Sequence, residues 1–184
     1  MKRLLSTLFC LLFAIASFAQ NANDHLKFMG IPITGTITQF QAKLKTKGVV
    51  IDTKESSKVN VGIRVFKGDF VGQKSRFYVY YSKYSSIVYR IKVLQLYDDA
   101  IKVMDAYSNL EEMIIRKYQP INRTDFEVQG IKFPTFQLKA GTISVWEEDD
   151  FSKVSSGGGA FRIYLDYIDS INNEKNKSSL YDDI

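Results

Sequence analysis

The chain has 184 residues, of which 45% are hydrophobic and 24% are charged, a balance typical of one globular domain with a sizeable core. Its formal net charge of +5 is spread along the sequence, so we expect no nucleic-acid-binding surface. A single cysteine and a single histidine exclude a disulfide framework, most zinc sites and most pairs of a nucleophile with a base.

Residues 1–19 have the pattern of a secretory signal peptide. Two basic residues precede an apolar run, and Ser17 and Ala19 fit the small positions of a cleavage site. The run is shorter than the roughly 20 residues that span a membrane. Cys10 has no small residue before it, so we expect no lipidation. The sequence predicts a periplasmic or secreted protein, cleaved after Ala19, with no integral membrane segment and no cysteine.

A short strand, a turn and a capped helix are predicted after this segment. Leu26 to Met29 can pair as a strand, and the Thr-x-x-Gln pattern of Thr36 and Gln39 predicts a capping box. Gly48 can take the left-handed conformation that ends the helix. Spacings of three and four predict one buried helical face, formed by Ile37, Phe40 and Leu44.

The hydrophobic period changes to two between residues 49 and 96, which predicts an antiparallel meander with one buried face. Turn residues occur at 67–69 and again at 71–73. The alternation predicts three buried sets, one per strand: Val59, Val61, Ile63 and Val65; Phe77, Val79 and Tyr81; and Ile87, Tyr89, Ile91 and Val93.

A second amphipathic helix follows, capped by Asp98 or Asp99 and ending near Tyr118, because Pro120 cannot continue it. Helical spacing predicts a buried stripe formed by Val103, Tyr107, Leu110, Ile114 and Tyr118, widened by Ile101, Met104 and Ile115.

Four more strands are expected, around residues 125–128, 135–138, 141–146 and 160–168. The resulting order indicates two helix-plus-meander halves and an old duplication. We predict an α+β fold in which an antiparallel sheet of about eight strands packs against two helices. The domain covers residues 20–171, and residues 172–184 are expected to form a polar flexible tail.

No residues in the chain predict catalysis, a metal site or a cofactor. His25 lies in a polar stretch near the mature terminus, so we expect it to be exposed surface. The acidic run at 147–150 lacks the spacing of a calcium loop and is interpreted as a solvated hairpin tip. The triple glycine at 157–159 leads into a strand, which predicts a loop and not a phosphate site.

Tyrosines supply the one candidate binding surface. Tyr78 and Tyr80 alternate with the predicted buried residues of their strand, so they lie on its opposite face, near Arg76, Arg90 and Lys92. Tyrosine and arginine are enriched in protein interfaces, and aromatic rings also stack on sugars. The alternatives are that both faces are covered, or that the tyrosines reflect only the propensity of strands for aromatic residues.

Three groups of short motifs span most of the mature chain: Phe28-Met29-Gly30-Ile31-Pro32-Ile33 with Phe40, Leu44 and Lys47-Gly48; Tyr107 and Leu110 with Arg116-Lys117-Tyr118; and Tyr167, Asp169 and Asn172. In these motifs the chain resembles small secreted proteins of unknown function from Bacteroidetes, although Gln119 stands where those have glycine. The resemblance implies no activity, cofactor or site. More distantly, the chain resembles β-lactamase-inhibitor-type and outer-membrane-assembly-type domains, a fold analogy that favours a protein-binding role.

These observations predict a non-enzymatic, exported binding module whose aromatic sheet surface engages a protein or a glycan of the cell envelope. Two alternatives stay open. One is an enzyme that acts on the envelope or on a polymer through carboxylates that no motif singles out. The other is a structural accessory of an envelope complex.

Overall fold

The computed structural model describes residues 24–128, 131–149 and 161–181. They form an eight-stranded antiparallel sheet, a separate two-stranded ribbon and four helices, which confirms the predicted α+β class. The signal peptide, the triple glycine and the last residue of the acidic run lie outside the described residues. Within the described part of the chain, no helix combines the length and the apolar character that a membrane crossing requires.

The elements follow one another in this order: β1 (Lys27–Phe28), β2 (Ile31–Pro32), α1 (Ile37–Lys45), β3 (Val50–Ile51), α2 (Thr53–Ser56), β4 (Ile63–Phe70), β5 (Gln73–Tyr81), β6 (Val88–Tyr97), α3 (Ala100–Tyr118), β7 (Asn122–Val128), β8 (Ile131–Leu138), β9 (Gly141–Asp149), β10 (Phe161–Asp169) and α4 (Ser170–Tyr181).

In each half of the chain, the strands follow their chain order from one edge of the large sheet to its centre. The order across the sheet is β3-β4-β5-β6-β10-β9-β8-β7, so each helix-plus-meander half contributes four consecutive strands. The halves meet where β6 pairs antiparallel with β10, the last strand of each meander. This arrangement agrees with the predicted two halves, while the duplication itself stays a prediction.

The first helix is capped as predicted. Thr36 Oγ1 accepts a hydrogen bond from the backbone N–H of Gln39 at 3.3 Å, and Gln39 Oε1 accepts one from the N–H of Thr36 at 2.9 Å. Gly48 has a φ of +76°, the left-handed conformation expected after the helix. The three residues of the predicted apolar face are buried.

Helices α1 and α3 pack on one side of the sheet, which we call the helix face. Phe28 of the small ribbon lies at its centre, with ring centroids 5.4 Å from Phe70, 5.7 Å from Phe77 and 5.1 Å from Tyr167. Alternate residues of the central strands complete this core, among them Val79, Ile91, Val93, Val145, Ile163 and Leu165. Burial of these apolar side chains is the main stabilising contribution that a chain without disulfides can use.

Helix α3 covers the sheet with a narrower stripe than predicted. Val103, Leu110 and Ile114 are buried, but the three residues expected to widen the stripe, Ile101, Met104 and Ile115, are exposed. The side of α3 that packs on the sheet is formed by these three buried residues together with the half-buried Tyr107 and Tyr118. The helix begins after Asp99, whose carboxylate accepts from two backbone N–H groups, and Gln119 ends it with a φ of +47°.

The predicted buried set of β4 is wrong. The strand begins at Ile63, Val61 is exposed, and the predicted turn at 67–69 lies inside the strand. Phe66 belongs to the helix-face core, whereas Val65 is buried on the opposite face. The short helix α2 lies against it there, because Ser56 Oγ is 3.0 Å from the backbone N of Val65 and donates to its carbonyl oxygen.

A β-bulge changes the alternation of β6. Tyr80 pairs with Arg90 while Tyr81 pairs with Val88, which leaves Tyr89 as the extra residue. Val88 is therefore buried, and the Tyr89 ring lies 6.5 Å from that of Tyr80. Of the set predicted for this strand, only Ile91 and Val93 enter the core.

The two ends of the described chain are joined by buried polar contacts, contrary to two predictions. His25, expected on the surface, is 7% exposed, and its Nδ1 lies 3.0 Å from Asp169 Oδ1. Asn172, expected to begin a flexible tail, is buried in α4 and donates from Nδ2 to the carbonyl oxygens of Ile33 and Val88. Both polar residues satisfy groups that packing removes from water, which local polarity could not reveal.

Candidate functional site

The second side of the sheet, which we call the open face, carries the predicted binding residues. Tyr78 and Tyr80 alternate with the buried Phe77 and Val79, and strand register places them opposite Lys92 and Arg90 of the next strand. Both tyrosines are half-buried. Their position on the face opposite the helix-face core agrees with the alternation in the sequence.

Arg90 and Asp166 form a clamp at the junction of the two halves. Arg90 Nε donates to Asp166 Oδ1 at 2.8 Å, and its terminal amino group donates to Asp166 Oδ2. The guanidinium carbon lies 4.9 Å from the centroid of the Tyr80 ring. The hydrogen bond to Asp166 raises the pKa of Arg90, and burial raises the pKa of Tyr80. The clamp therefore holds one paired cation against an aromatic ring.

Three aromatic side chains on neighbouring strands form what we call the aromatic row: Phe133, Trp146 and Tyr164. The rings of Trp146 and Tyr164 stack at 5.1 Å with an interplanar angle of 15°, and Phe133 lies 5.3 Å from Trp146 at 49°. Trp146 and Tyr164 are directly opposite in the β9–β10 register. One face of each ring is therefore covered by the other ring, and the ring edges lie outside this contact.

Lys92 lies between the clamp and the aromatic row. Its Nζ is 5.1 Å from the centroid of Trp146 and 5.7 Å from that of Tyr164. Among the described residues, no carboxylate oxygen lies within 4.0 Å of this nitrogen. Burial lowers the pKa of Lys92, and the nearby charge of Asp166 acts in the opposite direction. Lys92 is thus a half-buried cation held by rings and not by an ion pair.

Arg76 lines a groove beside this cluster. It is directly opposite Lys67 on one neighbouring strand and Leu94 on the other. The groove has a volume of about 520 Å³, and its apolar lining includes Leu94, Leu96 and Val50. Three cations, Lys67, Lys74 and Arg76, share the groove with two carboxylates, Asp52 and Asp69.

Charge on the open face is predominantly positive. The described strands place six cationic side chains there, Lys67, Lys74, Arg76, Arg90, Lys92 and Arg162, and three carboxylates, Asp69, Glu148 and Asp166. The excess of three positive charges is concentrated on β4, β5 and β6, since Asp69 pairs with Lys74 near the sheet's end.

All five predicted site residues share this face, as contiguous side chains of β5 and β6. Sequence reasoning missed the contribution of the second half: Asp166, Tyr164 and Trp146. Their strands were predicted. The missing information was the strand order, because only the pairing of β6 with β10 brings these residues beside Lys92.

The two buried carboxylates of β10 do not form an acid pair. Asp166 faces Arg90 on the open face, while Asp169 contacts His25 on the helix face. No group of three or more potential metal-binding side chains occurs in the described residues. The chain matches no family model, no curated protein and no solved structure.

Proposed function

We propose that the protein is an exported, non-enzymatic binding module whose open face engages a protein of the cell envelope. Export is supported by the signal-peptide pattern of residues 1–19. Binding is supported by one observation above the others: a cluster of half-buried aromatic and cationic side chains on the sheet face opposite α1 and α3.

The composition of the cluster favours a protein partner. Tyrosine, tryptophan and arginine are the residues that most often dominate the binding energy of protein interfaces. Tyr78, Tyr80 and Trp146 are partly accessible, and Arg90 is held in position by Asp166 before any partner arrives. A prearranged side chain loses little conformational freedom on binding, which favours affinity.

A sugar ligand has weaker support than a protein. Sugars bind aromatic residues by lying on open ring faces, whereas Trp146 stacks on Tyr164 and is approached by Phe133 and Lys92. An enzymatic role also has weaker support, because Asp166 and Asp169 face opposite sides of the sheet and each has a cationic or imidazole partner.

The proposal is tested by capturing envelope proteins on the immobilised protein and repeating the capture with Tyr78→Ala/Tyr80→Ala. We expect the wild type to recover a partner protein that the double variant recovers in much smaller amounts, because truncation of central aromatic residues removes most of an interface's affinity. Tyr84→Ala is the matched control, since Tyr84 is exposed outside the open face.

Circular dichroism must show that the double variant is folded. Equal recovery by the double variant and the wild type would exclude the open face as the binding surface. If the double variant lost binding to an envelope polysaccharide but recovered every protein as well as the wild type does, the ligand of the open face would be a glycan and not a protein.

A further inference from the structure

We infer that the partner of the open face is an acidic peptide segment, and that one of its carboxylates binds Lys92 between the clamp and the aromatic row. The inference rests on the proposed function and specifies the partner's chemistry. It starts from the position of Lys92, whose nitrogen contacts two aromatic rings and, among the described residues, no carboxylate within 4.0 Å.

The surroundings of Lys92 favour an incoming negative charge. Arg90 is two residues away on the same strand and face, and Arg76 is diagonally opposite on β5. Asp166 is directly opposite Lys92 in the β6–β10 register, and two nitrogens of Arg90 already bind it. Arg76 is near Glu55, whose pKa it helps to lower. A partner carboxylate would thus meet a cation that is partly shielded from water, where charge pairing is stronger than at a fully exposed site.

The adjoining groove favours a peptide over a lone anion. Within about 520 Å³ it combines the apolar Leu94 and Leu96 with three cations, Lys67, Lys74 and Arg76, and two carboxylates, Asp52 and Asp69. An apolar side chain can bury itself against the leucines while a neighbouring acidic side chain faces the cations. An extended polypeptide supplies both kinds of side chain at short spacing.

Aromatic edges add a second reason to expect an acidic partner. The electrostatic potential of an aromatic ring is positive at its edge and negative on its face. Trp146 and Tyr164 stack with one face of each ring, so the ring edges lie outside the stacked contact. These edges and the indole N–H suit carboxylate and carbonyl oxygens.

The test selects short random peptides displayed on phage against the wild-type protein and then titrates synthetic copies of the selected peptides. Trp146 is the only tryptophan, so its fluorescence reports binding beside Lys92 directly. We expect selected peptides to contain Asp or Glu next to an apolar residue. Lys92→Met should weaken them by about tenfold or more, the effect of removing one partner of a shielded charge pair.

Lys45→Met is the matched control, because Lys45 is exposed on α1, on the opposite side of the sheet. It removes the same charge and should change affinity by less than about twofold. Replacing the peptide's acidic residue by its amide should weaken binding to the wild type but not to Lys92→Met, as a double-mutant cycle requires for a direct contact.

Three results would overturn the inference. Selected peptides without acidic residues that still need Tyr78 and Tyr80 would remove the acidic partner and leave the proposed binding face intact. Fluorescence changes with polygalacturonate that depend on Lys92, in the absence of peptide binding, would identify an acidic glycan as the ligand. Peptides that bind Tyr78→Ala/Tyr80→Ala as well as the wild type would remove both the acidic partner and the proposed face.

Discussion

The two faces of one sheet hold their side chains in different ways. On the helix face, Phe28, Phe77 and Tyr167 are fully buried and pack ring against ring. On the open face, Tyr80, Lys92 and Trp146 are half-buried and contact one another through charge and aromatic surface. The strands are the same, so the difference comes from what covers each face.

The comparison separates stability from recognition. Packing of apolar side chains against α1 and α3 gives the helix face its stability, and the carboxylate of Asp169 there accepts hydrogen bonds from two backbone N–H groups. The open face keeps cations in excess and one lysine without a carboxylate partner among the described residues. Variants on the first face should therefore alter unfolding, and variants on the second should alter binding.

The largest expected effect is on the helix face. Phe28→Ala removes a ring that contacts Phe70, Phe77 and Tyr167, and it should lower the free energy of unfolding by about 3–5 kcal/mol. Denaturant unfolding measures this change. The control is Phe126→Ala, which truncates an exposed phenylalanine and should alter stability by less than about 0.5 kcal/mol. Equal losses in the two variants would contradict the comparison.

The next largest effect on stability is expected at a carboxylate of β10, and the two carboxylates of this strand, one on each face, should differ. Asp169 accepts hydrogen bonds from the backbone N–H groups of Leu26 and Asn172 as well as contacting His25, so Asp169→Ala should destabilise by about 3 kcal/mol. Asp166→Ala should destabilise by only about 1 kcal/mol, because Arg90 is partly exposed and can turn to water. Thermal unfolding of both variants tests the order, and a larger loss in Asp166→Ala would reverse it.

An alkaline pH dependence is expected from the helix face. Burial raises the pKa of Tyr118 from 10.0 to about 12, so the unfolded chain releases this proton first. Stability is complete below pH 10 and falls as the pH rises toward 12, by about 2 kcal/mol for this group. Unfolding measured across this range should be less steep in Tyr118→Phe, whereas Tyr84→Phe, at an exposed position, should follow the wild type. An unchanged slope in Tyr118→Phe would refute the assignment.

The smallest expected change in stability is on the open face. Lys92→Met removes the cation–π contacts, which lowers stability, and it also removes a charge whose burial is unfavourable, which raises stability. Because the two effects oppose each other, the free energy of unfolding should change by less than about 0.5 kcal/mol. Denaturant unfolding beside the peptide titration measures both properties in one variant. A destabilisation comparable to that of Phe28→Ala would make Lys92 a structural residue.

Local signals predicted α1 and α3 well, whereas α2 and α4 were not predicted. The capping box of Thr36 and Gln39 and the cap at Asp99 involve residues three or fewer apart, so short-range hydrogen bonding determines them. Predictions failed where distant segments meet. His25 and Asn172 look like surface residues in their own segments, but contacts across most of the chain bury them.

Strand faces were predicted only where the alternation was undisturbed. It assigned Tyr78 and Tyr80 to the open face correctly, but the bulge at Tyr89 changed the buried set of β6, and of the set predicted for β4, Val65 is buried as predicted while Val61 is exposed. A bulge adds one residue and inverts every later side chain, and a pattern in one strand cannot reveal it.

The sequence by itself determined α1, α3 and the five candidate residues on β5 and β6, because these follow from side-chain periods and local hydrogen bonds. Only the tertiary structure decided which strands are neighbours. The pairing of β6 with β10 brings Asp166, Tyr164 and Trp146 to Arg90 and Lys92, joining residues more than fifty positions apart into one surface. Such pairing is selected by packing of the whole core, a property that no single segment contains.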